Sequence, residues 1–372
     1  MHVAVFCHNY PPHPGGLEVA AQTVAAGLAR RHRVTLVTTA WEGRRGASTE
    51  DGLRVHRLPA WHGSEPWGVP YPVPLGRGLR SARREAGGAQ LFHAHGALYL
   101  TAVLAAREAR RRRRPLVLTE HVGWVPYPSR LLAAVQRLAW ATLGRYVLAR
   151  AAVATTYNHR VAGWLAGCRP GLPVRYVGNG VDAQSFRPRP PAERAEMRCR
   201  LGLPPAECLV LFVGRETVKK NLEMVLSIPR RDFRLVVCGA TRKLPPDVLN
   251  LGLVPYSSMP DLYAATDAMI HASVGEGFPL AIQEAMASGL PLVLLWEPGY
   301  EGWLAPETVA ACLRIEDLGP RLQSLVASPA ARREFGERAR HWAVERWSWE
   351  GTVAAYEDLF LSLVAPEERG GG

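Results

Sequence analysis

Residues 275–291, GEGFPLAIQEAMASGLP, place two carboxylates, Glu276 and Glu284, about a helix start with seven residues between them. Pro279 suits a first helical turn, and Gly289 with Pro291 supplies a stop, so the spacing predicts a helix over 280–288. Glu276 then lies in the loop before the helix, and Glu284 one turn inside it. First-turn amides lie between them, lack intrahelical acceptors and can hold an anion. Carboxylates repel phosphate, but they accept hydrogen bonds from sugar hydroxyls on either side of one. The pattern suggests a site for a sugar joined to a diphosphate. Paired carboxylates can also serve as acid and base in glycoside hydrolysis.

Basic partners for such a diphosphate occur in GRETVKKN, 214–221. Arg215 offers a planar fork suited to phosphate. Lys219 and Lys220 precede a helix predicted at 221–228, where positive charge opposes the macrodipole unless an anion sits there. The alternative is a solvated basic turn. In GGLE, 15–18, Gly15 and Gly16 follow the first predicted strand and let the backbone approach a bulky anion. The third glycine of a dinucleotide fingerprint is absent, and a bare turn is the alternative.

FHAHG (92–96) and TEHVG (119–123) put histidines at strand ends. His93 and His95 are expected on opposite faces. His121, between Glu120 and a glycine side, is the favoured candidate, against a purely structural role. Neither spacing makes a metal site. The chain has no Asp-x-Asp, so no divalent ion held on carboxylates under a diphosphate is expected.

Elements that could position these groups alternate along the chain. Strands are predicted at 3–7, 34–38, 91–95, 116–119, 152–155 and 174–177, with helices at 17–31 and 98–111 between them. After a Pro- and Arg-rich connection (181–207) come strands at 209–213, 234–238, 249–251, 268–271 and 291–295, with helices at 221–228, 259–265 and 280–288. Helical stretches fill 330–364. Alternation of this kind means α/β architecture: two doubly wound parallel sheets, with ligands at the carboxyl ends of the strands. The expected domains are 1–180 with a helix at 350–368 packing back on it, and 208–349.

At 372 residues with 48% hydrophobic and 21% charged content, the chain is globular and long enough for two cores. The net charge of +12 is uneven: residues 1–180 hold 24 arginines against 8 acidic residues. That asymmetry points to an anionic partner. Nucleic acid is not indicated, because the Arg110–Arg114 run has no interleaved aromatics and no nucleic-acid module occurs. Segment 131–150, LLAAVQRLAWATLGRYVLAR, mixes apolar residues, Trp and Arg at helical spacing. It reads as a core-facing helix with a solvated arginine face, or as a helix lying on an anionic membrane. Six scattered cysteines and an N-terminus unlike a signal peptide fit a cytoplasmic location. No stretch is apolar enough to span a bilayer.

Together, GGLE, FHAHG, TEHVG, VGNGVDAQSFRP (177–188), LFVGRETVKKN (211–221) and the long segment 251–293 resemble glycosyltransferase family 4, retaining enzymes of the GT-B fold that use nucleotide sugars. ERWSWEGTVAAYEDLF (345–360) resembles the family's terminal helix, which crosses back to the first domain. The resemblance implies catalytic roles for Arg215, Lys220, Glu276 and His121. Arg215 and Lys220 would hold the diphosphate in place of a metal, Glu276 hydroxyls of the transferred sugar, and His121 the sugar from the opposite wall. It implies donor binding by Gly15, Gly16, Lys219, Val254, Phe278, Leu280 and Glu284, the last on the ribose. Asn179 and Gly180 match the interdomain turn. A front-face route, with the leaving phosphate as base, needs no nucleophilic carboxylate. No cofactor or metal is expected, only a UDP-, GDP- or ADP-sugar donor and an anionic or lipid-linked acceptor. A GT-B epimerase and a non-catalytic sugar-nucleotide or polyanion binder are the alternatives. Two segments depart from the pattern: TRKLPPDVLN (241–250) replaces a Gly-rich turn and helix, and EPGYEGW (297–303) replaces a Gly-Gly turn.

Overall fold

The computed structural model describes residues 1–63, 71–125, 127 and 129–364. It forms two compact units. Unit 1 is Met1–Gly178 together with the chain from Trp349 onward, and unit 2 is Asn179–Ser348.

Unit 1 opens with strand β1 (His2–Phe6), helix α1 (Gly16–Ala29) and strand β2 (Arg33–Thr39). Strands β3 (Gly46–Glu50) and β4 (Leu53–Leu58) form a hairpin, and β5 (Ala60–Trp61) pairs with β6 (Val73–Pro74). Helix α2 (Gly76–Glu85) leads to β7 (Leu91–His95), α3 (Leu100–Arg112) and β8 (Leu116–Thr119). Helices α4 (Arg130–Ala139) and α5 (Arg145–Leu148), strand β9 (Val153–Thr156), helix α6 (His159–Cys168) and strand β10 (Val174–Tyr176) complete the run. The sheet order is β10-β9-β8-β7-β1-β2-β4-β3, parallel except at the β3 edge. Its central strands are buried on both faces, which is why they read as unbroken apolar runs. Strand order reverses between β1 and β7, so their carboxyl ends flank a crevice of the kind where ligands bind.

Unit 2 begins with α7 (Pro191–Arg200), followed by β11 (Leu209–Val213), α8 (Leu222–Ser227), β12 (Arg234–Cys238) and β13 (Val248–Asn250). Then come α9 (Met259–Ala265), β14 (Ala268–His271), α10 (Leu280–Ala287), β15 (Leu292–Leu295) and β16 (Ala310–Cys312). Helices α11 (Leu318–Ala327) and α12 (Pro329–Arg346) close the unit. The six strands are parallel in the order β13-β12-β11-β14-β15-β16, with the reversal between β11 and β14. The last helix, α13 (Trp349–Val364), belongs to unit 1. Its Tyr356 and Phe360 enter the core beneath α1, and Glu357 bonds His32 at 2.8 Å. Residues 365–368 of the expected terminal helix lie outside the described residues.

Several elements carry no strong sequence signal. β3, GASTE, is a polar edge strand, and α2, GRGLRSARRE, has too few apolar residues to show a helical period. Residues 181–207, expected as a connection, contain α7 and belong to unit 2. Arg198 fastens this segment: it donates to the carbonyls of Ala265 (2.8 Å), Pro205 (2.9 Å) and Glu207 (3.0 Å), and pairs with Asp267 at 2.7 Å. Asp267 also accepts from Arg194 and from the Leu209 amide, each at 2.8 Å.

The core-facing reading of 131–150 is overturned in its first half. On α4 the inward residue is Gln136, whose amide reaches both Val125 N and O. Leu131, Val135 and Leu138 are 72%, 55% and 66% exposed. The apolar stripe at i, i+4 and i+7 therefore faces outward. Farther along, Trp140 and Val147 are buried, as the original reading required.

Replacing Arg198 with Ala would orphan several carbonyls and remove one of the two arginines paired with Asp267. The variant is expected to destabilise unit 2 by about 3 kcal/mol, measured as a lowered urea midpoint. An unchanged midpoint would mean that the clamp is dispensable.

Candidate functional site

In unit 2, the chain leaves β11 through Gly214 and turns at Val218–Lys220 into α8. Asn221 adopts φ +52°, and its side-chain amide donates to the Ala272 carbonyl at 2.8 Å, fastening this turn to the end of β14. The Val274 amide donates to the Lys219 carbonyl at 2.9 Å. The basic turn is thereby stitched to the loop carrying Glu276.

The two loops meet at the reversal of strand order. Lys220 Nζ lies 3.0 Å from Glu276 Oε1, with both side chains largely covered. Burial alone would raise the Glu276 carboxyl, but the charge and hydrogen bond of Lys220, with Lys219, outweigh it and hold the group below its ordinary value. His271, the last residue of β14, is pushed down to about 3 by burial and by Lys220, and so is neutral. Its Nε2 has no hydrogen-bond partner among the described residues. Arg215 is partly buried at the mouth of the same turn, and its guanidinium has no carboxylate partner among the described residues.

Glycines make the approach possible. A Cβ on Gly214 would stand 2.9 Å from the Lys220 stem, so the lysine lies across the bare backbone. A Cβ on Gly239, at φ +106°, would strike the Gly214 carbonyl oxygen at 2.5 Å. Gly239 requires glycine for the backbone approach, whereas a side chain at Gly214 would displace the lysine stem.

Glu284 has a different environment. It is buried on α10, where Tyr263 donates to Oε2 at 2.9 Å and Tyr256 adds a second hydroxyl. Burial pushes its carboxyl up to about 7, against the opposing pull of the two tyrosines. A carboxylate at that point can exchange tyrosine hydroxyls for those of a polyol. α10 has no side-chain cap; the Ile282 amide donates to the Pro279 carbonyl at 3.1 Å, and the Leu280 and Ala281 amides begin the helix with no carbonyl a turn earlier in it. Leu280 opens the helix, and Phe278 is buried edge-on against Tyr300 and Trp347. Val254 lies partly covered in the loop after β13.

Both departing segments have a local structure of their own. Residues 241–247 form no helix; Glu216 instead accepts from the Thr241 amide at 2.7 Å and from Arg242 Nε at 2.8 Å. In 297–303, Glu297 accepts from the Gly275 amide, and Tyr300 is fully buried.

In unit 1, side chains form a row across the carboxyl ends of β9, β8 and β7. Tyr157 OH lies 3.0 Å from His121 Nδ1, and His121 Nε2 lies 3.0 Å from His95 Nδ1. Burial pushes His121 down to about 4, His93 to about 3, and His95 well below its ordinary value. The row is neutral and can donate or accept without carrying charge. His93 and His95 share one face, with rings 4.4 Å apart, which corrects the expectation of opposite faces. Residues i and i+2 of a strand must line the same side. His93 also reaches Thr119 Oγ1 at 2.7 Å, and the Tyr356 hydroxyl of α13 joins at 3.0 Å. Glu120 accepts from the Ala97 amide at 2.8 Å and so joins the loops after β7 and β8. Among the described residues, no three His, Cys, Asp or Glu side chains gather as a metal site.

Gly15 precedes α1, where a Cβ would fall 2.1 Å from Glu18 Oε2. Its bareness makes room for that buried carboxylate, which bonds His13 at 2.8 Å. Gly16, the first residue of α1, is exposed. The structure thus brings Lys220 and Glu276 together, sets Arg215 and Lys219 in the same turn, and buries Glu284 against two tyrosine hydroxyls. His271, Tyr157, Tyr256 and Tyr263 were missed in sequence. Spacing carries no signal for Tyr256 and Tyr263, since the first lies in the turn before α9 and the second inside the helix.

Comparison with known proteins bears on the family and the fold. The family model for glycosyltransferase family 4 matches residues 14–185, and that for glycosyl transferases group 1 matches residues 193–342. A GDP-mannose-dependent alpha-(1-6)-phosphatidylinositol monomannoside mannosyltransferase from Mycolicibacterium smegmatis is 26% identical, covering 95% of this chain and 96% of its own. A D-inositol 3-phosphate glycosyltransferase from Rhodococcus erythropolis is 28% identical, covering 96% and 89%. Among solved structures, sucrose-phosphate synthase from Thermosynechococcus elongatus superposes with a TM-score of 0.78 at 18% identity, over 98% of this chain and 99% of that one. The fold is the GT-B fold.

Glu284 supplies a test of the site's electrostatics. Its folded value of about 7 exceeds the ordinary 4.5, so the folded form holds the proton more tightly. The stability this contributes is full below pH 4.5 and is lost as pH rises through about 7. Glu284→Gln removes the dependence, so the variant's unfolding temperature should gain on that of the parent across this window. Parallel profiles for the two proteins would contradict the assignment.

Proposed function

The chain belongs to glycosyltransferase family 4, and we propose that it moves a sugar from a nucleoside diphosphate donor to an anionic or lipid-linked acceptor with retention of configuration. The observation that carries the donor reading is the meeting of Lys220 and Glu276 at the strand-order reversal of unit 2, with Arg215 in the same turn as the lysine. Doubly wound sheets bind nucleotides at that point. Arg215 and Lys220 take the diphosphate and stabilise the charge that develops as it leaves, a role that needs no metal. Lys219 adds to the local potential. Glu276 exchanges its lysine partner for sugar hydroxyls, and Glu284 exchanges tyrosine hydroxyls for those of the ribose. Val254, Phe278 and Leu280 shape the donor pocket around them.

In unit 1 the resemblance gives Gly16 a backbone amide for the distal phosphate and His121 a neutral hydrogen bond for the sugar. The leaving phosphate serves as base for the acceptor hydroxyl, so no protein nucleophile is required. Two names among the relatives guide the choice of substrates: one is a GDP-mannose-dependent phosphatidylinositol monomannoside mannosyltransferase, and the other a D-inositol 3-phosphate glycosyltransferase. GDP-mannose is therefore the first donor to test, ahead of UDP- and ADP-sugars. The excess of arginine over acid in residues 1–180 favours an anionic acceptor.

Lys220→Ala and Arg215→Ala should each lower kcat/KM for donor by roughly a hundredfold while circular dichroism stays unchanged. EDTA should leave the rate intact. Wild-type rates in both variants, or a strict requirement for added magnesium, would contradict the proposal. A thermal-shift panel of UDP, GDP, ADP and their sugars fixes the donor class.

A further inference from the structure

Helix α4 carries its hydrophobic residues on the outside. Leu131, Val135 and Leu138 form a stripe along one exposed face, with Leu132 beside it. A surface helix of a globular protein normally turns such a stripe inward. Here Gln136 occupies the inward position and bonds the Val125 backbone. The helix is anchored through a polar residue, and its apolar face is left to the surroundings.

Charge surrounds that face. Arg130 and Arg137 fall on one flank of the stripe by helical geometry, and all of Arg130, Arg137 and Arg145 are exposed. None of the three has a carboxylate partner among the described residues. From His121 to Val181 the chain contains seven arginines and no aspartate or glutamate. A protein partner could cover apolar residues alone, but this combination of an exposed apolar stripe with unpaired arginines complements an anionic lipid surface. The arginines would engage headgroups while the leucines enter the acyl boundary. No helix among the described residues is long and apolar enough to cross a membrane.

We propose that α4 lies in the surface of an anionic bilayer, with Leu131, Val135 and Leu138 inserted and Arg130, Arg137 and Arg145 on lipid headgroups. The inference rests on the exposure and charge of α4 and does not depend on the donor reading. It would place unit 1 at the surface where a lipid-linked acceptor resides.

Co-sedimentation with vesicles tests it, using phosphatidylcholine alone and phosphatidylcholine mixed with phosphatidylglycerol. The full chain should partition onto the mixed vesicles at low salt, weakly onto phosphatidylcholine, and less as salt rises. A triple variant L131S/V135S/L138S and a charge variant R130Q/R137Q/R145Q should each bind roughly tenfold less or weaker still. Both alter exposed positions, so circular dichroism and nucleoside diphosphate binding should match the parent. Equal partitioning of parent and variants, or none by the parent, overturns the proposal. Concentration-dependent self-association that the serine variant abolishes, with no vesicle binding, would assign the face to a second copy of the chain instead. Loss of vesicle binding with nucleotide binding intact separates this inference from the donor site.

Discussion

A lysine and a glutamate 3.0 Å apart hold together the part of unit 2 that the chemistry requires. Removing two charges from water is costly, and a well-packed apolar pair could stabilise the same place better. The surrounding backbone nevertheless accommodates the pair. Gly214 leaves room for the lysine stem, Gly239 lets the next strand end approach, and Asn221 takes a left-handed conformation to tie the basic turn to β14. These features set Lys220 and Glu276 where the order of strands reverses. An incoming diphosphate and its sugar can divide the pair between them without leaving either charge unmatched.

The two units distribute charge differently within their sites. Unit 2 concentrates Arg215, Lys219, Lys220 and Glu276 around one turn, with Glu284 buried against two tyrosine hydroxyls. Unit 1 lines its strand ends with histidines held neutral by burial, and its carboxylates Glu18 and Glu120 are occupied with internal bonds. A neutral row can orient hydroxyl groups without attracting a second anion. Tyr356 of α13 bonds Thr119, which supports His93, and Thr155 beside it, so α13 contributes to the floor of that row.

Much of this was legible in the sequence because it rests on strong local signals. The buried strands of both sheets are apolar runs bounded by turn residues, and α10 is delimited by Pro279 and Gly289. Elements without such signals were missed: β3 is polar, α2 is mostly arginine and glycine, and α7 is held by Arg198 through Ala265 and Asp267, both distant in sequence. The Lys220–Glu276 contact could not be read from spacing alone, since it depends on β11 and β14 being neighbours. His93 and His95 were misplaced by a misapplied strand period. On α4 the hydrophobic pattern revealed a helix with an apolar stripe, but pattern cannot state which way that stripe faces. Tertiary attachment through Gln136 decided it.

The central claim is that Arg215 and Lys220 form a diphosphate site. Calorimetric titration of the parent chain and an R215A/K220A variant, with a nucleoside diphosphate and with the corresponding nucleoside, tests it most directly. The account predicts that the diphosphate binds the parent about a hundredfold more tightly than the nucleoside, and that the double variant loses most of this advantage. Equal affinity for the two ligands in the parent, or an undiminished advantage in the variant, would contradict it.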